Sequence, residues 1–269
     1  MKKLATAALA ALVVLALALA ACTPGGQTST TASTTASTAS TTASTAAAAE
    51  AAELVMATNA EFPPFEFVND ANEYDGFDVV IARAIAGKLG MELRIDNMNF
   101  DSVLTAVETG KADVGIAALT VRADRLENAD FTISYFKTTQ VIIVPDGSDI
   151  AGPDDLPGKT VAVQEGTTGD LYCDEEVPDV EIVRFKKAPD TVLELKNGKV
   201  DAIVIDKDVA NQFIGDNPDL KILPDDLTEE EYAMAVRKGN EELLGKLNGA
   251  IQDMFDSGEY DRIFNDFFS

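Results

Sequence analysis

The sequence predicts an α/β protein with two lobes of like topology, each a doubly wound, mostly parallel sheet, and a cleft between them. The first sign is alternation. From Leu54 to Gly115 short apolar runs trade places with stretches of three- and four-residue apolar spacing, the strand-helix-strand pattern of a sheet covered on both faces. The second is a restart, since the same alternation begins again beyond Asp149-Ile-Ala-Gly-Pro153. The third is an echo: Thr109-Gly-Lys-Ala-Asp-Val-Gly-Ile116 returns 88 positions on, from 109 to 197, as Asn197-Gly-Lys-Val-Asp-Ala-Ile-Val204. Each copy is a helix stop followed by a buried strand.

The elements follow in order. Leu54 to Thr58 is a strand that ends in Asn59-Ala-Glu-Phe-Pro-Pro-Phe65, where consecutive prolines forbid a helix and force an extended corner. Phe77, Val80, Ile81, Ala84, Ile85 and Leu89 then mark an amphipathic helix stopped by Gly90. Leu93 to Asp96 is the second strand, and Phe100 to Glu108 a helix with Val103, Leu104 and Val107 on one face. Val114 to Leu119 reads as a third strand, buried on both faces and broken by Thr120. Thr138 to Val144 is a further β segment, and Lys159 to Gln164 opens the second lobe with a strand running into Glu165-Gly-Thr-Thr-Gly169 and a helix.

The ends of the chain carry other signals. Lys2 and Lys3 precede an uncharged apolar run from Leu4 to Ala21, which fits an export signal over residues 1–21. A membrane-spanning anchor is the competing reading. Against it, Leu19-Ala-Ala-Cys22 resembles a bacterial lipoprotein cleavage box, which implies a mature chain beginning at lipidated Cys22 and anchored to the membrane. Residues 22–52 are almost wholly Thr, Ser, Ala and Gly after that cysteine. Such a composition cannot bury enough apolar surface to fold, and as a coil it spans about 30 Å. It reads as a tether.

Composition narrows the function. The formal charge is −25, and loss of Lys2 and Lys3 with the signal makes it −27; nucleic acid and anionic lipid are poor partners for such a chain. With Cys22 lipidated, Cys173 has no mate for a disulfide and reads as a small apolar residue. No histidine occurs, which removes the commonest general base and zinc ligand. No enzyme activity, cofactor or metal is expected.

In open α/β sheets ligands sit beyond the carboxyl ends of the strands. Four such ends are Asn59 to Phe62, Ala117 to Arg125, Gln164 to Thr168, and Ile205-Asp206, two from each lobe. Arg125 has two readings: an anion clamp whose planar fork matches a carboxylate, or an ordinary surface pair beside Asp124 or Glu127. Asp206 is either a helix cap or the carboxylate for a cation. Taken as a set, a cation on one lobe, an anion on the other and the rings of Phe62 and Phe100 beside them make a receptor for a zwitterion, and free α-amino acids fit.

Asn59-Ala-Glu-Phe-Pro-Pro-Phe-Glu-Phe, Gly76-Phe-Asp-Val, Met98-Asn-Phe-Asp, Gly110-Lys-Ala-Asp-Val, Thr120-Val-Arg-Ala-Asp-Arg, Asp130-Phe-Thr-Ile-Ser-Tyr-Phe and Gln164-Glu-Gly-Thr-Thr-Gly resemble the polar amino-acid-binding proteins of ABC importers, over Glu53 to Ser269. The resemblance implies a two-lobed type II periplasmic-binding-protein fold. Residues 53–136 and 234–269 would form lobe 1 and residues 137–233 lobe 2, with hinge crossings near Tyr135 to Thr139 and Glu231 to Ala235. It implies a monomer that is exported, held at the outer face of the membrane or in the periplasm, and partnered by a permease and its ATPase. It also implies site roles. Arg125 would bind the ligand carboxylate, helped by Thr120, Thr167 and Thr168; Asp206 would take the α-ammonium beside the backbone of Ala117 and Ala118; Phe62 and Phe100 would sandwich the side chain. The side-chain end would be lined by Asn59, Glu61, Gln164 and Gln140. With a carboxylate, Glu61, in that set and no cation beyond Arg125, the expected ligand is a basic amino acid. If Glu61 instead faces solvent, the amides suit glutamine.

Overall fold

A computed structural model describes residues 52–269, so the signal, Cys22 and nearly all of the tether lie outside the described residues. Two five-stranded sheets organise the rest. In the first, the strand Glu53–Thr58 lies parallel between Glu92–Asn97 and Val114–Gly115, and Ala235–Arg237 and Ala129–Phe131 complete the sheet in antiparallel fashion. In the second, Thr160–Gln164 lies parallel between Glu181–Phe185 and Ala202–Asp206, and Gln140–Pro145 and Leu220–Ile222 follow antiparallel. The two orders match: three parallel strands, then two antiparallel ones. The parallel trios are the predicted βαβ units, and the antiparallel pairs temper the expectation of mostly parallel sheets.

The helices follow their sequence signals. Phe77–Leu89 ends at Gly90, which takes φ 67° and returns its N–H to the last turn, the left-handed stop that glycine permits at low cost. Phe100–Glu108 matches its predicted span. Helices Glu241–Ser257 and Glu259–Phe268 pack back on Phe77–Leu89 of the first sheet's layer. Cys173 is buried in the second core, and burial pushes its thiol up to about 12.

Two predicted strands are cut short, for the same reason. Val114 to Leu119 was expected to be one strand, but only Val114–Gly115 pairs; the chain then bends through Ala118 at φ 47°. Thr138 to Val144 is divided at Thr139 into Phe136–Thr138 and Gln140–Pro145. Apolar character records burial, and these stretches stay buried after they leave the ladder. At the second break, Phe136–Thr138 pairs with Glu230–Tyr232 in a two-stranded ribbon, where the chain passes from one sheet to the other and back. An aromatic cluster of Phe65, Phe77, Phe136, Tyr232 and Phe268 fixes this crossing against the first sheet.

Candidate functional site

The carboxyl ends of the parallel strands converge on one pocket. Phe62, Phe100, Ala118, Thr120 and Arg125 line it from the first sheet's side, and Gln164, Thr167, Thr168 and Asp206 from the second. Nine of the thirteen residues singled out from the sequence therefore share a wall.

Arg125 is 7% exposed. It sits in the single helical turn Ala123–Leu126. Its Nη1 donates to the Thr120 carbonyl at 2.9 Å and its Nη2 to the Gly166 carbonyl at 3.2 Å. Its guanidinium carbon lies 5.5 Å from the centre of the Phe100 ring. Among the described residues no carboxylate reaches ion-pair distance of it, so the surface-pair reading belongs to Arg122, which meets Asp124 at 3.0 Å. A buried guanidinium with donors to spare and no counter-ion is poised for an anion. The helix Thr168–Glu176 begins beside it, with Thr167 as N-cap accepting from the Asp170 N–H, and a helix start adds backbone donors for the same anion.

The opposite end of the pocket is acidic. Asp206 accepts a hydrogen bond from the Tyr232 hydroxyl; burial, then the charge of Glu230, raises it to about 7. Asp78 accepts from the Ala118 N–H at 2.8 Å and from the Tyr135 hydroxyl at 2.9 Å, and burial raises it to about 6. The Asp78 contact anchors Ala118 in its left-handed conformation. Thr120 donates its hydroxyl proton to Glu230 Oε2 at 2.5 Å. A hydroxyl has one proton, so toward the pocket this side chain is an acceptor.

Four sequence-derived residues stand elsewhere. Glu61 meets Lys187 Nζ at 2.6 Å on the surface, so it offers the pocket no free carboxylate. Asn59 is buried outside the lining, donating to the Met98 carbonyl at 2.7 Å and accepting from Gln164 Nε2 at 2.8 Å. Ala117 packs in the core under helix Phe100–Glu108. Gln140 is buried next to the lining, where a Cβ on Gly169 would come 2.7 Å from its Oε1.

Sequence reasoning also missed a residue. Glu66, fully buried, lies close enough to Asp78 and Asp206 for both charges to add to burial in raising it well above the usual carboxylate range. Its carboxyl shares a hydrogen bond with that of Asp78, while Gln164 Oε1 finds no donor among the described residues. The one available signal was a charged residue between two phenylalanines of Pro64-Phe-Glu-Phe67.

Contacts across the pocket show the lobes drawn together. Arg125 reaches Gly166, Gln164 reaches Asn59, and the Thr168 hydroxyl donates to that of Thr120 at 3.2 Å. Two α/β lobes joined by a ribbon and closing on a buried, charge-bearing pocket define a binding protein that captures a small ligand between its halves. Residues 54–269 match the family of bacterial extracellular solute-binding proteins, family 3, and the chain belongs to that family. It is 36% identical over 221 residues to a probable histidine-binding protein of Neisseria gonorrhoeae, covering 80% of this chain and 82% of that one. Among solved structures, a mutant of ArgBP from T. maritima superposes with a TM-score of 0.78 at 41% identity, covering 80% of this chain and 95% of that one. An ancestral arginine-binding protein solved with arginine gives a TM-score of 0.78 at 38% identity, covering 82% and 100%. An ancestral arginine-binding protein solved with glutamine gives a TM-score of 0.78 at 39% identity, covering 80% and 97%.

Proposed function

We propose that this protein captures a basic L-amino acid and delivers it to an ABC importer. Arg125 and the helix start at Thr168 would receive the α-carboxylate, and Asp206 with the Thr120 oxygen and the Ala118 backbone the α-ammonium. Phe62 and Phe100 would flank the side chain. The observation that carries the choice of ligand is buried acid with no cation paired to it: Asp206 and the acceptor Gln164 Oε1 on the pocket lining, and Glu66 outside the lining but close to Asp206. A guanidinium brings five N–H donors and an ammonium three. A cationic side chain brought near Glu66 would favour its ionised form, opposing the burial and neighbouring charges that raise its proton affinity. A leucine-like side chain would leave these groups buried and unpaired, at about 1–3 kcal/mol each. Glutamine is the second reading, since its amide could satisfy Gln164 and the buried amide of Gln140 without a charge.

The remaining assignments rest on the sequence and on kinship. Lobe 1 would comprise residues 53–136 and 234–269 and lobe 2 residues 137–233, supported by the two sheets and the ribbon between them. Cys22 would carry the lipid that tethers a monomer outside the cytoplasm, and the relatives' description as binding proteins supports a role without catalysis. Calorimetry against the twenty amino acids tests the ligand. Tightest binding of arginine, lysine or histidine is expected, and tighter binding of glutamine would replace the reading with its alternative. Intact mass of membrane-extracted protein tests Cys22; a chain without acyl mass would remove the anchor.

A further inference from the structure

Glu230 is 4% exposed and has no place in the ligand contacts assigned above. It begins the strand Glu230–Tyr232, whose partner is Phe136–Thr138, so it stands at the ribbon where both passages between the lobes run side by side. Its two oxygens take two hydroxyl protons. Oε2 accepts from Thr120, on the pocket loop of the first lobe, at 2.5 Å; Oε1 accepts from Thr228 at 2.8 Å. Thr228 in turn accepts from the Gln140 N–H at 2.9 Å, at the head of the second lobe's strand Gln140–Pro145. On the pocket side, Thr120 Oγ1 receives the Thr168 hydroxyl from across the cleft. One carboxylate thus joins the hinge and the base of lobe 2 to the pocket wall of lobe 1, its bond to Thr120 being the one that crosses between the lobes.

We propose that Glu230 is a positioning residue for ligand capture: from the hinge ribbon it fixes the Thr120 hydroxyl as an acceptor facing the pocket and ties that hydroxyl to lobe 2 through Thr228. An ordinary structural acid at this point would stabilise the ribbon and leave binding unchanged. Glu230 differs because the hydroxyl it orients lines the pocket, and because its charge faces Asp206. The groups around Asp206 are Tyr232 and Glu230 from the ribbon, Gln140 from the neighbouring strand, and Glu66 and Arg125 from the first lobe. Of these, Glu230 is the charge that most raises the proton affinity of Asp206. Its removal should therefore let Asp206 ionise at lower pH.

The inference rests on the ligand reading above, and the experiment separates the two. Binding of L-arginine and L-glutamine is measured by calorimetry from about pH 5.5 to 8.5 for the wild type, Glu230→Gln, Thr228→Val, Thr120→Val and the double variant Thr120→Val/Glu230→Gln. Loss of a hydrogen bond to a charged group predicts about a tenfold or greater fall in affinity for Glu230→Gln and a smaller fall for Thr228→Val. In the Thr120→Val background Glu230→Gln should cost less than about threefold, because the hydroxyl it positions is gone. The acid limb of binding should move to lower pH in Glu230→Gln and stay in place in Thr228→Val. Additive effects of Glu230→Gln and Thr120→Val, or an unmoved acid limb, overturn the proposal. If circular dichroism shows Glu230→Gln unfolded, Thr228→Val decides, and wild-type affinity in that variant overturns it. A wild type that binds neither amino acid fells the ligand reading; a wild type that binds while the variants add independently fells only the role of Glu230.

Discussion

Lys187 and Glu61 meet across the mouth of the cleft, Nζ to Oε1 at 2.6 Å, and beside them Lys186 meets Asp101 at 2.9 Å. Both pairs join one lobe to the other, and both are well exposed. Exposed pairs contribute little and are screened by salt. Lys187→Met should therefore weaken ligand binding by no more than about fivefold, mainly through faster release, with the difference vanishing at high salt. Stopped-flow dissociation checks this; a change in which amino acid is preferred would show that Glu61 reaches the pocket after all.

Arg125→Ala removes the buried cation that has no counter-ion of its own. Binding should fall by about two decades or more while folding suffers less, because breaking a buried charged contact with the ligand costs several kcal/mol. Calorimetry alongside a melting curve separates the two, and unchanged affinity would take Arg125 out of the carboxylate site.

Glu66→Gln keeps the shape and removes the charge. Affinity for arginine should drop about tenfold to a hundredfold, the range for hydrogen bonds to charged groups, while affinity for glutamine changes little. An equal loss for both ligands would mean that Glu66 holds the fold rather than the ligand's cationic end.

Stability should vary with pH in a direction set by the buried acids. Asp206 at about 7 and Asp78 at about 6 hold protons in the folded, ligand-free protein that the unfolded chain releases near pH 4. Between about pH 4 and 7 the folded state therefore binds more protons, and stability falls as pH rises through that window. Urea unfolding of the ligand-free protein should give a higher midpoint at about pH 5 than at about pH 8. A cationic ligand supplies the missing counter-charge, so its thermal shift should be larger at the higher pH. Greater ligand-free stability at pH 8 would contradict the raised values.

How far the sequence reached can be seen at particular residues. Local signals placed the helices Phe77–Leu89 and Phe100–Glu108, because apolar spacing and a glycine stop are properties of neighbouring residues. The strand ends were legible for a similar reason: Thr120, Gln164 and Asp206 each close an apolar run, Arg125 follows five residues after Thr120, and a parallel sheet must present those ends at one edge. Their partners were not legible. Glu61 and Glu66 are five positions apart in one motif, yet one meets a surface lysine and the other is sealed beside Asp78 and Asp206. Which carboxylate is buried depends on how the corner Asn59 to Phe65 folds back and which lobe comes to face it. Charge type and strand order are written in the chain itself, whereas the direction of a hydroxyl proton, as at Thr120, is fixed only when Glu230 arrives from 110 residues away.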